Sequence, residues 1–289
     1  MKRFKRLKAS SSGRLEGLLF LSPWLVGFFA FMVFPLGFSF YMSFNNVRIT
    51  PQGLDIQYKG LTYYKSILFQ NGSVLYDHLI PFLRQALLMI PIIVIFALLV
   101  AIMLNYKFPG RAVFRTIFFL PVIFSTGEII QEFYSQGDGA LGFLEQYDLS
   151  SYISMVLPNS WAGTLTKVLD SFVLILWYSG VQILIFLAGR QTISTSVYEA
   201  ARIDGASPWE SFWKITLPAM IPFIFLNLIY TVVDLFTYPW NPIIERVKSN
   251  SDYGLSSALI WIYFAIILLF LAVVFLVFHR VTRNHQQTN

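Results

Sequence analysis

Residues able to do chemistry gather in two places. The first is the polar stretch RQTISTSVYEAARIDGASPWESFWKITLP, from Arg190 to Pro218, which holds Glu199, Ala200, Ala201, Asp204, Gly205, Ala206 and Trp209. The second is a set of polar and aromatic side chains inside two apolar runs: Trp177, Tyr178 and Gln182 in one, and Asn227, Tyr230, Thr231, Asp234 and Tyr238 in the other. Neither set is a catalytic constellation. The first suits docking. Ser196 with Glu199 three residues on reads as a capping box, Gly205 as a helix stop, and Ser207-Pro208 with Glu210 as the start of a second short helix, so two helices meet at a bend and form a rigid knob. Glu199 offers a charge-assisted contact or a helix cap, and Ala200 and Ala201 permit close backbone approach. Trp209 and Trp213 either anchor a partner or pack on the chain itself, while Phe212 is expected to pack inward. From the residues alone, the loop lies on a membrane surface or docks on a partner.

In the second set, spacings of three and four place the polar groups of each run on one helical stripe. Hydroxyls, amides and aromatic faces suit a sugar, whose ring carries donors, acceptors and apolar C–H patches. The same groups equally serve as interhelical hydrogen bonds.

The elements that must position these groups follow from composition. Of 289 residues, 56% are hydrophobic and 12% charged, and the apolar residues fall in long runs, which points to a bilayer as the solvent. Six runs reach spanning length: Leu15–Phe44, Leu79–Leu104, Ala112–Tyr134, Val168–Ala188, Pro218–Phe236 and Leu255–Phe278. Helices are required there, because lipid offers no partner to backbone N–H and C=O groups and the runs lack barrel-type alternation. The expected fold is an all-α membrane protein of six transmembrane helices, with the knob in the loop between helices four and five. Pro35, Pro91, Pro121 and Pro222 mark kinks or plain punctuation. Glu128 and Glu132 near the outer end of span three share a face and are read as a gate, a binding-protein contact or interfacial solvation.

Charge sets the orientation. Fourteen of the 21 Lys and Arg fall in the N-terminal tail and in the segments on its side of the membrane, so both termini are expected to be cytoplasmic. The net charge of +6 is therefore a lipid-facing asymmetry, headed by Lys2, Arg3, Lys5, Arg6 and Lys8, and nucleic acid is not an expected partner. The first run exceeds a signal-peptide core and carries no small-residue cleavage site, so it is read as retained. The expected organisation is a basic tail over 1–14, one membrane domain over 15–280 with its loop at 190–217, and a C-terminal tail over 281–289.

Covalent chemistry finds little support. There is no Cys, the three His (His78, His279, His285) are scattered, and no Gly-rich loop ends in Lys-Ser or Lys-Thr. No metal is expected and the chain has no nucleotide site of its own.

The string EAARIDGASPWESFWKITLPAMIP, Glu199 to Pro222, closely resembles the EAA loop of membrane subunits of ATP-binding-cassette (ABC) importers: E-A-A, then D-G-A, then I-x-L-P and a second Pro. SPWLVGFFAFMVFPLGFSFYMSFNN, GLTYYKSIL and RTIFFLPVIFS resemble the carbohydrate branch, similar to maltose and glycerol-phosphate permeases. YPWNPIIERVKSNSDYG lacks the Gly-Gly-Pro string common in that branch. The resemblance implies a bacterial plasma-membrane permease subunit. It implies as partners a second homologous permease, a cytoplasmic ATPase dimer that binds the ATP and Mg, and an extracellular solute-binding protein. It also gives the loop the role of a coupling helix. Competing readings are the same architecture for another polar solute, an ion-coupled carrier, which leaves the loop unexplained, and a polytopic membrane enzyme, for which no nucleophile–base pair is visible. Spans four and five carry no Lys or Arg in their middles, which favours a neutral polyhydroxyl solute over an anionic one.

Overall fold

The structure is a computed structural model; it describes residues 11–51, 53–70, 74–106, 108–123, 149–156, 158–170, 172–237 and 241–287. Tyr238, Glu128 and Glu132 lie outside these residues. The chain divides into two units, one comprising Met1–Gln70 with Val247–Ile262, the other Asn71–Arg246 with Tyr263–Asn289.

The first unit opens with α1 (Ser11–Phe28), a π-helical turn (Phe29–Val33) and α2 (Phe34–Met42). The turn sits where Pro35 requires it. Proline lacks an N–H and its ring collides with the carbonyl four residues back, and the wider i→i+5 turn moves that carbonyl aside. The same arrangement recurs in the second unit, where π turns Val74–Leu79 and Phe212–Thr216 precede helices whose second residue is Pro81 or Pro218. Pro91 and Pro222 instead lie inside continuous α-helix.

Among the described residues, the departure from an all-α fold is a β-hairpin, β1 (Asn45–Thr50) and β2 (Gly53–Tyr58), antiparallel with Val47 opposite Ile56 and Ile49 opposite Leu54. One face is apolar and the other carries Asn46, Arg48, Asp55 and Gln57, the period-two pattern of a sheet. A short α3 (Thr62–Lys65) follows. Tyr63 donates its hydroxyl to Asp252 at 2.5 Å, and Tyr64 donates to Ser43 at 2.7 Å. Burial, reinforced by the Asp252 carboxylate, pushes the Tyr63 phenol well above its ordinary range. The other Asp252 oxygen caps the last helix, accepting from Gly254 N–H at 2.9 Å and Leu255 N–H at 3.3 Å.

The second unit is built on α4 (Ile80–Asn105), with α5 (Arg111–Ile123), α6 (Leu149–Val156), α7 (Asn159–Asp170), α8 (Phe172–Gln191), α9 (Thr195–Ile203), α10 (Pro208–Ser211), α11 (Leu217–Phe236) and α12 (Pro242–Lys248). The last helix, α13, runs from Tyr253 to Gln287. The main core joins α4, α8 and α11: Val94, Ala97, Leu98, Ala101 and Leu104 meet Ile183, Phe186, Leu187 and Met220. Small residues allow this closeness. Ala97 and Ala101 are buried on α4, and a Cβ at Gly189 would stand 2.5 Å from the Phe223 ring. Close backbone approach is the usual means of helix association in lipid, where apolar side chains gain nothing from leaving their solvent.

Among the described residues, four helical stretches are long and apolar enough to cross a membrane: Leu19–Met42, Asp77–Asn105, Pro208–Phe236 and Tyr253–Arg280. They overlap the expected spans one, two, five and six. Spans three and four coincide with α5, described as far as Ile123, and with α8.

Beyond the membrane-facing runs, segments read as loops hold structure: the hairpin, α6, α7 and α12. Asn241, which starts α12, is wholly buried. Its Oδ1 accepts from Ile243 N–H at 2.9 Å and its Nδ2 donates to the Tyr263 hydroxyl at 2.6 Å, and that hydroxyl donates to the Phe236 carbonyl at 2.8 Å. An orphan carbonyl at the end of α11 is thereby satisfied.

Candidate functional site

The stretch between α8 and α11 folds as a helical hairpin. α9 starts two residues earlier than its sequence suggests. Ser194 is the N-cap, accepting from Ser196 N–H at 3.3 Å, and Ser196 sits in the first turn with its hydroxyl 2.7 Å from that of Ser194. The Ser196–Glu199 capping box is therefore not formed. What fixes the start is a tertiary anchor: the Tyr198 hydroxyl lies 2.8 Å from Thr216 Oγ1, and the Arg190 guanidinium sits 4.2 Å over the Tyr198 ring.

The other end of α9 agrees with the sequence. Gly205 has φ +80°, its N–H donates to Arg202 O at 3.1 Å, and Ala206 N–H reaches Ala201 O at 2.9 Å. These are the two bonds of a Schellman stop, which turns the chain back through a left-handed residue. Ser207 then caps α10. It accepts from Glu210 N–H at 3.2 Å while the Glu210 carboxylate accepts from Ser207 N–H at 2.9 Å, a complete capping box with Pro208 at the first position. The Ser207 bonds, with Lys214 beside it, hold the Glu210 carboxyl below its ordinary range.

The helix phase gives α9 two faces. Thr195, Tyr198, Glu199 and Arg202 line a cleft of about 620 Å³ that the last turn of α4 and the α10 side complete. Val197, Ala200 and Asp204 lie on the other side and Ile203, four residues on from Glu199, on the flank between the faces; all are exposed. Ile203 is 87% exposed. Ala201 is half-buried between the faces, Ala206 borders the cleft, and Gly205 forms the tip. Trp209 and Trp213, at 69% and 49% exposure, pack edge-to-face with ring centroids 5.5 Å apart, and Phe212 turns into the cleft wall. Ile203 escaped the sequence reading; the signal was an isoleucine immediately before the Asp204-Gly205 stop of a short amphipathic helix.

The intramembrane polar set is brought together in part. Gln182, Asn227 and Thr231 are buried where α8 crosses α11: Gln182 Nε2 donates to Thr231 Oγ1 at 3.1 Å, and Asn227 Nδ2 donates to the Gln182 carbonyl at 3.3 Å. Gln182 Oε1 and Asn227 Oδ1 are buried without a partner. Trp177, Tyr178 and Asp234 are half-buried, and Tyr230 is exposed at the edge of the stripe. The geometry of the three buried groups is that of a brace. Thr231→Val is expected to lower thermal stability by about 0.6–1.7 kcal/mol, the range of interhelical hydrogen bonds in lipid, with solute affinity unchanged. A melting curve beside an uptake KM checks this; a shifted KM at unchanged stability would put Thr231 in the solute path instead.

Residues 66–287 match the family described as "Binding-protein-dependent transport system inner membrane component". The chain is 31% identical over 235 residues to a probable ABC transporter permease protein, YesP, of Bacillus subtilis, covering 80% of this chain and 74% of that one. It is 30% identical to the arabinooligosaccharides transport system permease protein AraP of the same organism, over 75% of this chain and 68% of the relative. It is 27% identical to the trehalose/maltose transport system permease protein MalF of Thermococcus litoralis, over 93% and 95%. In fold it resembles a chain from the crystal structure of a bacterial ABC transporter involved in the import of the acidic polysaccharide alginate, with TM-score 0.63 at 18% identity over 96% of this chain and all of that one. A matched segment that takes in the capped helical hairpin and the helices on either side of it, together with relatives sharing near a third of their residues, makes this chain a member of the binding-protein-dependent transport system inner membrane component family, the permease subunits of ABC importers.

Proposed function

We propose that this permease subunit forms half of a path for a neutral, hydroxyl-rich solute, a sugar or oligosaccharide, across the bacterial plasma membrane, and draws its driving force from a separate ATPase docked on the α9–α10 hairpin. The carrying observation is that hairpin. It is stiffened at both turns by its own hydrogen bonds and presents Ile203, Ala200, Val197 and Asp204 outward, so a push on it is passed to α8 and α11 rather than absorbed. In this reading Glu199, Ala200, Ala201, Asp204, Gly205, Ala206 and Trp209 form or shape the docking surface. ATP and Mg belong to the ATPase subunit, and the chain has no catalysis of its own.

In this reading the six apolar runs cross the membrane, the basic-residue asymmetry puts both termini in the cytoplasm, and the hairpin lies on the ATPase side. A second homologous permease completes the path, and an extracellular solute-binding protein delivers the solute. Trp177, Tyr178, Tyr230, Asp234 and Tyr238 are the groups assigned to the path, with Gln182, Asn227 and Thr231 behind them. The sugar assignment draws on relatives named for arabinooligosaccharides and trehalose/maltose, and on the absence of Lys or Arg from the middles of α8 and α11. Transport is then a two-state rocking of helices biased by the ATP cycle.

Co-purification in mild detergent tests the assembly. The wild-type chain is expected to bring down a second permease and an ATPase, and a variant lacking Glu199–Ser211 is expected to keep the permease and lose the ATPase. A wild-type chain that purifies intact and alone would overturn the assignment of partners.

A further inference from the structure

The cleft behind the hairpin has a chemistry that ATPase docking does not use. Arg190, from the last turn of α8, and Arg202, from α9, both line it, and among the described residues neither guanidinium has an ion-pair or hydrogen-bond partner. Lys214 pairs instead with Glu210, at 3.5 Å on the surface. Arg190 is nonetheless held. Its Cζ lies 4.2 Å from the centroid of the Tyr198 ring, and the Tyr198 hydroxyl lies 2.8 Å from Thr216 Oγ1, so the guanidinium has a cation–π neighbour that is itself tied to a second element. A guanidinium so placed, with its donors unpaired, is prepared for a bidentate oxyanion.

Three charged side chains border the cleft. Arg190 and Arg202 against Glu199 leave one positive charge, which matches a phosphodiester monoanion. The volume, about 620 Å³, is that of a small-molecule site, and one wall is apolar, made by Ile102, Tyr106 and Phe212. Phe212 continues outward into the exposed Trp209 and Trp213.

We propose that this cleft is a binding site for a phosphate group, held between Arg190 and Arg202, with the remainder of its ligand against Ile102, Tyr106 and Phe212. The phosphate comes from the headgroup of an anionic phospholipid or from a soluble phosphorylated solute. The two arginines are not among the residues assigned to ATPase docking, and occupancy of the site is measured on the membrane subunit itself.

The test is native mass spectrometry of the purified chain, with whatever subunits accompany it, exchanged into detergent containing phosphatidylglycerol or diacylglycerol with the same acyl chains, and in parallel a thermal-shift titration with inorganic phosphate. Wild type is expected to retain one phosphatidylglycerol and no diacylglycerol, with at least tenfold loss of retention in Arg190→Gln/Arg202→Gln and none in Lys214→Gln. Stabilisation by phosphate, lost in the same double variant and without a lipid adduct, assigns the soluble source. Arg202→Gln alone changes an exposed side chain outside the core, and lipid-free melting of both variants at the wild-type temperature verifies folding. Equal retention in wild type and the double variant, or neither a lipid adduct nor a phosphate shift in wild type, overturns the proposal.

Discussion

Gly205→Pro is expected to release the ATPase subunit from the purified complex, with at least a tenfold fall in its recovery, while the chain inserts and folds as before. One backbone angle decides the outcome. Gly205 sits at φ +80°, and proline is confined near −65°, so the substituted chain cannot turn back toward Ser207. Proline also removes the N–H that reaches Arg202 O at 3.1 Å, and with it half of the stop that ends α9. The capping box of α10 is local to Ser207 and Glu210 and survives, but the angle between the two short helices does not. Ala200, Ile203 and Asp204 then face away from any surface they were shaped to meet.

Gly205→Ala provides the graded comparison. It keeps the N–H and strains only the left-handed backbone, by about 1–2 kcal/mol, so an intermediate recovery is expected. The spans do not enter this account, because nothing stands within 4 Å of a Cβ at Gly205 and the hairpin carries none of the main core. Subunit recovery on an affinity column and vesicle uptake read the two variants. Full recovery and transport with proline at 205 would show that the hairpin's shape is not what the ATPase grips.

The parts of this fold that were legible in the sequence are those fixed by local chemistry. Gly205 and the Ser207–Glu210 pair act within four residues of themselves, so their motif and their structure coincide. The start of α9 was misread because Ser194, Thr195 and Ser196 are all competent caps. The choice among them was made by Tyr198, whose contacts with Arg190 and Thr216 set the helix phase from other elements. The β-hairpin was missed for a different reason. Val47, Ile49, Leu54 and Ile56 alternate around Pro51 and Gly53, a strand signal of period two, but a window wide enough to find a membrane span averages such alternation away. Burial, too, was out of reach: the stripe carrying Asn227, Tyr230, Thr231 and Asp234 was visible, yet only the crossing of α8 shows that Asn227 and Thr231 are covered while Tyr230 is not.

Gly254→Ala is expected to be the most destabilising single-methyl change in the first unit, and the reason lies in the sign of two opposed effects. Gly254 is the second residue of α13, where alanine is favoured over glycine by about 0.8–1.0 kcal/mol, so helix propensity alone predicts a gain. Against this, a Cβ at 254 would be driven onto the Asn45 carbonyl oxygen, with Asn45 C at 2.9 Å and Met42 O at 3.1 Å. Those are backbone atoms at the junction of α2 and β1, and they cannot swing aside as a side-chain tip would. Asn45 is further fixed by its own Nδ2, which donates to Tyr41 O at 2.7 Å, and Gly254 N–H is held by the Asp252 cap. Relief requires α13 to move off its cap or the hairpin to shift at its root, and overpacking of this kind costs about 1–3 kcal/mol or more, which exceeds the propensity gain. Gly37→Ala is the control: Gly37 lies within α2 with nothing inside 4 Å of a Cβ, so only the propensity gain operates and a slight stabilisation is expected. Melting curves of the two variants in one detergent read the difference. A Gly254→Ala protein as stable as wild type would mean that the backbone of β1 yields at Asn45, and that the start of α13 is not anchored there.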